Sequence, residues 1–337
     1  MANLVLCGSV NLATRDDVFR AVASNAGSAA KRIPDGETGE RLQWTDSQVP
    51  RLAEMVELER IDDETSAYPC FALREGADAG ALRFEFDYAP AAIDSYRAFA
   101  ALKRDGVIGA ATRFQVSLPS PLAITLYIQP SDAPALLPAL ERGLLAQLQT
   151  IAASIPHDQL AIQWDLPSEV AVIEGFLPDP YPDQPGAILD MVTRLGAAVP
   201  ADAELGYHLC YGDEPGADGQ GQHFLQPADL SKLVALANEL SDRAQRAIGW
   251  IHMPVPIERD DAAFFAPLAE LRLAPETELY LGLVHHEDGL DGARRRIAVA
   301  ADYVTGFGVA TECGMGRDPR AAIPELLRIQ AQVATPE

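Results

Sequence analysis

Leu4-Val5-Leu6-Cys7-Gly8-Ser9-Val10-Asn11 opens the chain as a short, unbroken apolar run whose single glycine lacks the partners of a dinucleotide-binding turn. A continuous apolar run reads as a strand buried on both faces, the kind found in parallel sheets under helices. Seven further runs of this character lie at 82–88, 112–118, 160–165, 204–211, 247–255, 279–286 and 303–311. Between most of them are Ala/Leu-rich stretches with apolar residues three and four apart, at 135–153, 186–195, 227–246 and 289–301, which predict helices. Eight strand-helix alternations point to an α/β protein with a closed (β/α)8 TIM barrel; an open doubly wound sheet is the alternative. Residues 11–81 exceed what one crossover helix needs. They predict an insertion after the first strand, a partly inserted lid, within one barrel domain spanning 1–337.

Composition narrows the function classes. At 337 residues the chain is long enough for one barrel-sized core, and no apolar run approaches the roughly 20 residues a membrane span needs. Lys+Arg 26 against Asp+Glu 49 gives a formal charge of −23, so the surface repels nucleic acid and anionic headgroups. A small molecule is the expected partner, and a homodimer is left open. Met1-Ala2-Asn3 enters the first apolar run without a basic leader, so a cytoplasmic location is expected. Cys7, Cys70, Cys210 and Cys313 are too few and scattered for a disulfide framework. Core filler, metal ligand or nucleophile are the roles that remain, and Cys7 and Cys70 read as packing.

The informative stretch for chemistry is Gly206-Tyr207-His208-Leu209-Cys210-Tyr211-Gly212-Asp213. Side chains two apart on a strand share a face, so His208 and Cys210 are expected to project together into the barrel mouth. Ala310-Thr311-Glu312-Cys313-Gly314 ends the last strand and Trp250-Ile251-His252-Met253 the sixth. Barrel closure brings these rims around one mouth, where His208, Cys210, His252 and Cys313 form a soft donor set suited to Zn2+. Core packing produces the same His-x-Cys pair; the placement of every candidate at a strand's C-terminal end speaks for the metal. The loop Arg32-Ile33-Pro34-Asp35-Gly36-Glu37 through Arg41 is either a solvated turn or a cover for the mouth, with Arg32 or Arg41 meeting a substrate carboxylate and Asp35 and Glu37 beside it. Ser117 at the end of the third strand and Trp164 beside Asp165 are candidate pocket-wall residues.

His208-Leu209-Cys210-Tyr211, Glu312-Cys313-Gly314 and Ile162-Gln163-Trp164-Asp165-Leu166-Pro167, in this order and spacing, resemble the zinc- and substrate-binding motifs of the cobalamin-independent methionine synthase family. The likeness is to that family's catalytic C-terminal barrel and covers most of the chain, as for a divergent single-barrel member. It implies a zinc site that activates a thiol for alkylation, with His208, Cys210 and Cys313 as ligands. It further implies Asp165 as a substrate-amine contact, His285 or His286 as general acid/base, and Arg317 as the basic residue after the last cysteine. The chain departs from the family where His252 stands in place of a glutamate ligand and Leu166 in place of the glutamate after the aspartate. Imidazole for carboxylate makes a bound zinc the stronger Lewis acid and its bound thiolate the weaker nucleophile.

The resulting expectation is a zinc-dependent enzyme acting on a thiol or hydroxyl of a small substrate, with alkyl (methyl) transfer to sulfur first. A zinc lyase acting on a small oxygenated or aromatic compound is the second reading, favoured by His252. A metal-free small-molecule-binding or decarboxylase-like barrel is the third.

Overall fold

The computed structural model describes residues 3–62, 68–215, 221–223 and 225–334. In chain order its strands are β1 (Arg32–Pro34), β2 (Leu58–Arg60), β3 (Phe71–Leu73), β4 (Arg113–Pro119), β5 (Leu160–Asp165), β6 (Glu204–His208), β7 (Asp213–Pro215), β8 (Gly221–His223), β9 (Trp250–Pro254), β10 (Glu278–Val284) and β11 (Gly308–Thr311). Seven of them form one curled sheet in the order β1-β4-β5-β6-β9-β10-β11. Every neighbouring pair in it is parallel. The opening run ties its two edges together. On the β1 side Leu4 N–H donates to Ala29 O and Val10 N–H to Gly36 O; on the β11 side Val5 N–H donates to Val309 O and Asn11 N–H to Met315 O. Between these anchors Gly8 sits at φ +122, and a Cβ there would lie 3.0 Å from the Ser117 hydroxyl oxygen. The run therefore pairs at its ends and turns irregular in its middle.

Helices cover the outside of this TIM-like sheet, among them Arg15–Asn25, Ala133–Ser154, Ala187–Ala198, Ser231–Arg243, Gly289–Ala300 and Ile323–Ala334. Thr14 starts the first with a reciprocal capping box to Asp17. The main apolar core fills the layer between sheet and helices, and a small second cluster, Val5, Cys7, Ala161, Trp250, Tyr280 and Ala310, fills the interior. No helix among the described residues is long and apolar enough to cross a membrane.

Three sequence expectations change. Residues 82–88 are not a strand: Leu82, Phe84 and Phe86 are buried in alternation with exposed Arg83 and Glu85. That segment lies over the helix Ala133–Ser154, where a Cβ on Gly143 would come within 2.8 Å of Phe84 O. The strand that takes its place in the sheet is β1, concealed in the sequence by its arginine and proline. The insertion consequently does not follow the first run, which leads through an ordinary helix into β1. The excursion comes after β1 and contains the 3-10 stretch Gly39–Gln48, the helix Val49–Ala53 and the β2–β3 hairpin. Finally, β6 stops at His208, so Cys210 stands two residues beyond the strand.

Candidate metal centre

Register places the first site residues. Asp165 on β5 pairs with His208 on β6, and His208 with His252 on β9, so three inward-facing polar side chains form one layer across the sheet. β5 and β6 end there and β9 two residues further on, at the C-terminal face where barrel loops carry chemistry. The loops after β6 and β11 add the sulfurs. Cys210 Sγ lies 3.3 Å from Cys313 Sγ, and Cys313 Sγ lies 3.6 Å from His208 Nε2. Gly212 N–H donates to Cys210 Sγ at 3.2 Å, and the Thr311 hydroxyl donates to Cys313 O at 2.6 Å, which pins both loops.

This donor set fits a zinc ion. Tetrahedral coordination at ordinary Zn–S and Zn–N lengths requires about 3.8 Å between two sulfurs and about 3.6 Å between sulfur and nitrogen. The observed separations match the second and fall slightly inside the first. A second group of metal-ligand type, Cys7, His208 and His252, also has its donor atoms within 4.8 Å of one another. There His208 Nδ1 and His252 Nδ1 are 2.7 Å apart, a hydrogen bond and closer than the about 3.3 Å that two imidazoles on one zinc would keep. His252, expected as fourth ligand, has both ring nitrogens engaged, Nδ1 by His208 and Nε2 by Thr311 O at 3.1 Å. Burial brings its pKa down to about 3, so the ring is neutral. Burial also pushes the Cys7 thiol well up, helped by Cys313 and Asp165.

Two cavities meet at the cysteines. The smaller, about 80 Å³, is lined by Cys7, Ser9, Glu37, Trp44 and Asp165 besides the donors themselves. The larger, about 350 Å³, contains His285, His286, Glu258, Glu312 and Asp318. Cys210, Gly212, Cys313, Gly314 and Arg317 line both. In the smaller cavity the carboxyls of Asp165 and Glu37 are buried. Burial raises Glu37 to about 7 against the pull of Arg41 and Ser9. Burial and then the nearby Glu37 hold Asp165 well above the usual range, while hydrogen bonds from Gln163 and the Trp44 side chain lower it. Glu37 at φ 49 and Trp44 at φ 51 are the non-glycine residues with positive φ among those described, and both face this cavity. Backbone held in that region marks sites whose geometry is imposed by their surroundings.

The remaining sequence candidates sort by position. Arg317 lines both cavities and donates to Gln43 Oε1 at 3.2 Å. His286 Nδ1 is 2.7 Å from Asp318 Oδ1, and His285 Nε2 is 2.9 Å from Val255 O. Ser117 sits under the mouth, accepting from Gln163 Nε2 at 3.3 Å. Asp35 does not line the smaller cavity; it anchors the loop, bound by Arg41, the Ser95 hydroxyl and the Glu37 N–H. Trp164 is fully buried in the sheet-helix layer, on the opposite face of β5 from Asp165. Arg32 lies at the other end of the barrel. It ion-pairs with Glu204 and Glu278, the first residues of β6 and β10, and stacks 4.2 Å over the Trp250 ring, so it has no substrate to meet. Cys7, Ser9 and Trp44 also line the smaller cavity; Cys7 lies inside the opening run, where the sequence reads it as packing, and Ser9 lies near the end of that run.

A curled parallel α/β barrel with a sulfur-imidazole cluster at its C-terminal mouth is the class these features define. Among solved structures, a B12-independent methionine synthase from Shewanella sp. W3-18-1, in complex with selenomethionine, superposes with TM-score 0.64 at 12% identity, over 99% of this chain and 96% of that one. A methyltransferase from Methanosarcina mazei gives 0.57 at 9% identity, covering 99% and 94%. A Listeria monocytogenes protein assigned by its description to the vitamin-B12-independent methionine synthases gives 0.53 at 16% identity, covering 95% and 86%. The chain shares their fold across almost its whole length. No family model matches it, and neither does any curated protein.

Proposed function

We propose that the chain is a zinc-dependent transferase that moves an alkyl group, most simply methyl, onto the sulfur of a small amino-bearing thiol. The observation that carries this is that two cavities meet at Cys210 and Cys313, with His208 beside them in the lining of the smaller, which gives one cavity to each reactant. His208, Cys210 and Cys313 would hold the ion with three protein donors. Bound there, zinc would supply Lewis acidity that eases loss of a thiol proton. The smaller cavity suits the acceptor, because Glu37 and Asp165 offer buried carboxyls to an ammonium group. The selenomethionine of the Shewanella complex, a methylated chalcogen amino acid, has the shape of such a product.

The larger cavity then receives the donor. In the transfer the acceptor's S–H proton passes to solvent water and its sulfur lone pair forms the bond to the alkyl carbon. The bond from that carbon to the donor breaks, its electron pair leaving with the donor. His285 and His286 both line the larger cavity, which supports the reading that one of them returns a proton to that leaving group. Arg317, at the boundary of the cavities, offers a cation to an anionic part of either reactant. The lyase alternative rested on His252 as a ligand; with both nitrogens of His252 engaged, no observation favours it.

Elemental analysis of purified protein is expected to find about one zinc per chain, and Cys210→Ser and Cys313→Ser to lose most of it. With zinc bound, thiols carrying an α-amino group should be alkylated and their desamino analogues should react poorly. Metal-free protein that ignores added zinc would sink the reading.

A further inference from the structure

We infer that His252 is a positioning residue that fixes the tautomer of His208, through a hydrogen-bond relay running from the Thr311 carbonyl to the His208 Nε2 lone pair. The inference rests on the reading of His208, Cys210 and Cys313 as metal ligands and assigns a role to the residue behind them. The Thr311 carbonyl oxygen can only accept, so the His252 Nε2 that faces it at 3.1 Å carries the hydrogen. A neutral imidazole has one N–H, which leaves His252 Nδ1 as an acceptor. His208 Nδ1, 2.7 Å away, must then be the donor. That assignment leaves His208 Nε2 with a lone pair, aimed at the side where the Cys313 sulfur stands 3.6 Å off.

The reverse arrangement needs an imidazolium at His252. Its ring is fully buried between an imidazole and a carbonyl, with no carboxylate hydrogen-bonded to it among the described residues. A cation there has lost its hydration and gained no counter-charge. Register makes the relay rigid: His208 and His252 are direct partners on neighbouring strands, with ring centroids 4.7 Å apart. Thr311 binds the relay at one end with its carbonyl and the Cys313 loop with its hydroxyl, so one residue orients two of the three donors. Outer partners of this kind set ligand orientation and basicity, and losing one costs roughly ten- to hundredfold in metal affinity.

The test uses the full chain and two substitutions of His252. His252→Gln can still accept from His208 Nδ1 through its amide oxygen and donate to Thr311 O through its amide nitrogen; His252→Leu can do neither. Zinc affinity measured by chelator competition is expected to fall roughly tenfold or more in His252→Leu and to stay within a few-fold of wild type in His252→Gln. Nitrogen NMR of the metal-free protein, with the His208 signals assigned by their absence in His208→Gln, should show Nδ1 protonated and Nε2 bare in wild type and His252→Gln. In His252→Leu that preference should be lost. A protonated Nε2 in wild type, unchanged zinc affinity in His252→Leu, or a glutamine variant as weak as the leucine one would overturn the relay. Wild type that binds no zinc would instead fail the metal reading, and the metal-free NMR result would still decide the part played by His252.

Discussion

Glu37 concentrates the tension between stability and function in one side chain. Its carboxyl is buried beside Ser9 and titrates at about 7, so the folded protein holds a proton there that the unfolded chain releases near pH 4.5. A folded pKa raised in this way contributes stability below the unfolded value, and that contribution is lost as pH rises through the folded value. The interval is worth roughly 3 kcal/mol. Glu37→Gln should therefore match wild type in urea unfolding near pH 4.5 and exceed it at pH 8 in metal-free protein. The same change should weaken binding of an amino-bearing thiol. In wild type that binding should tighten as pH rises through 7, because an ammonium group needs the ionised carboxylate. Equal stability at both pH values, or a pH-independent KM, would remove Glu37 from the acceptor pocket.

Strands set the site through register and through what their glycines leave out. Gly206, two residues before His208, is the partner of Trp250, and a Cβ there would fall 2.0 Å from the indole ring. The absent side chain lets Trp250 lie flat across the interior beneath the histidine layer. Gly206→Ala should cost roughly 1–3 kcal/mol by overpacking, read as a lower urea midpoint with unchanged slope. The regular strands were legible as apolar runs, and β5, β9 and β10 begin or end within three residues of their expected bounds. β1 was not legible, because its three residues include an interior-facing arginine and a proline. The segment 82–88 mimicked a strand for the opposite reason: a half-buried extended stretch over a helix alternates as an edge strand does. Cys7 was passed over because an apolar run with a cysteine inside it looks the same whether the thiol faces packing or a pocket.

Over the whole molecule the barrel separates a charged floor from the mouth that holds the sulfur-imidazole cluster. Arg32, Glu204, Glu278 and Tyr280 plug the N-terminal end, with the guanidinium stacked on Trp250. Arg32→Ala removes a buried guanidinium and its stacking on Trp250 while Lys31 and Arg113 remain paired with Glu278 and Glu204, and a loss of roughly 1–3 kcal/mol in unfolding free energy is expected. Zinc content and KM should be unchanged, since the floor does not touch the mouth. A raised KM with normal stability would instead put Arg32 in contact with substrate.

The amino-acid order by itself determined the α/β alternation, the strongly acidic balance of the chain and the positions of His208, Cys210 and Cys313 at or just past the ends of strands. Those follow from local periodicity, charge and the rule that side chains two apart share a face. Only the tertiary structure decided that Arg32 belongs to the floor, that Glu37 and Asp165 share one small cavity, and that His252 stands behind His208 rather than beside the sulfurs. Each of these depends on which strands become neighbours and in what register, a property of long-range pairing that no short window of sequence contains.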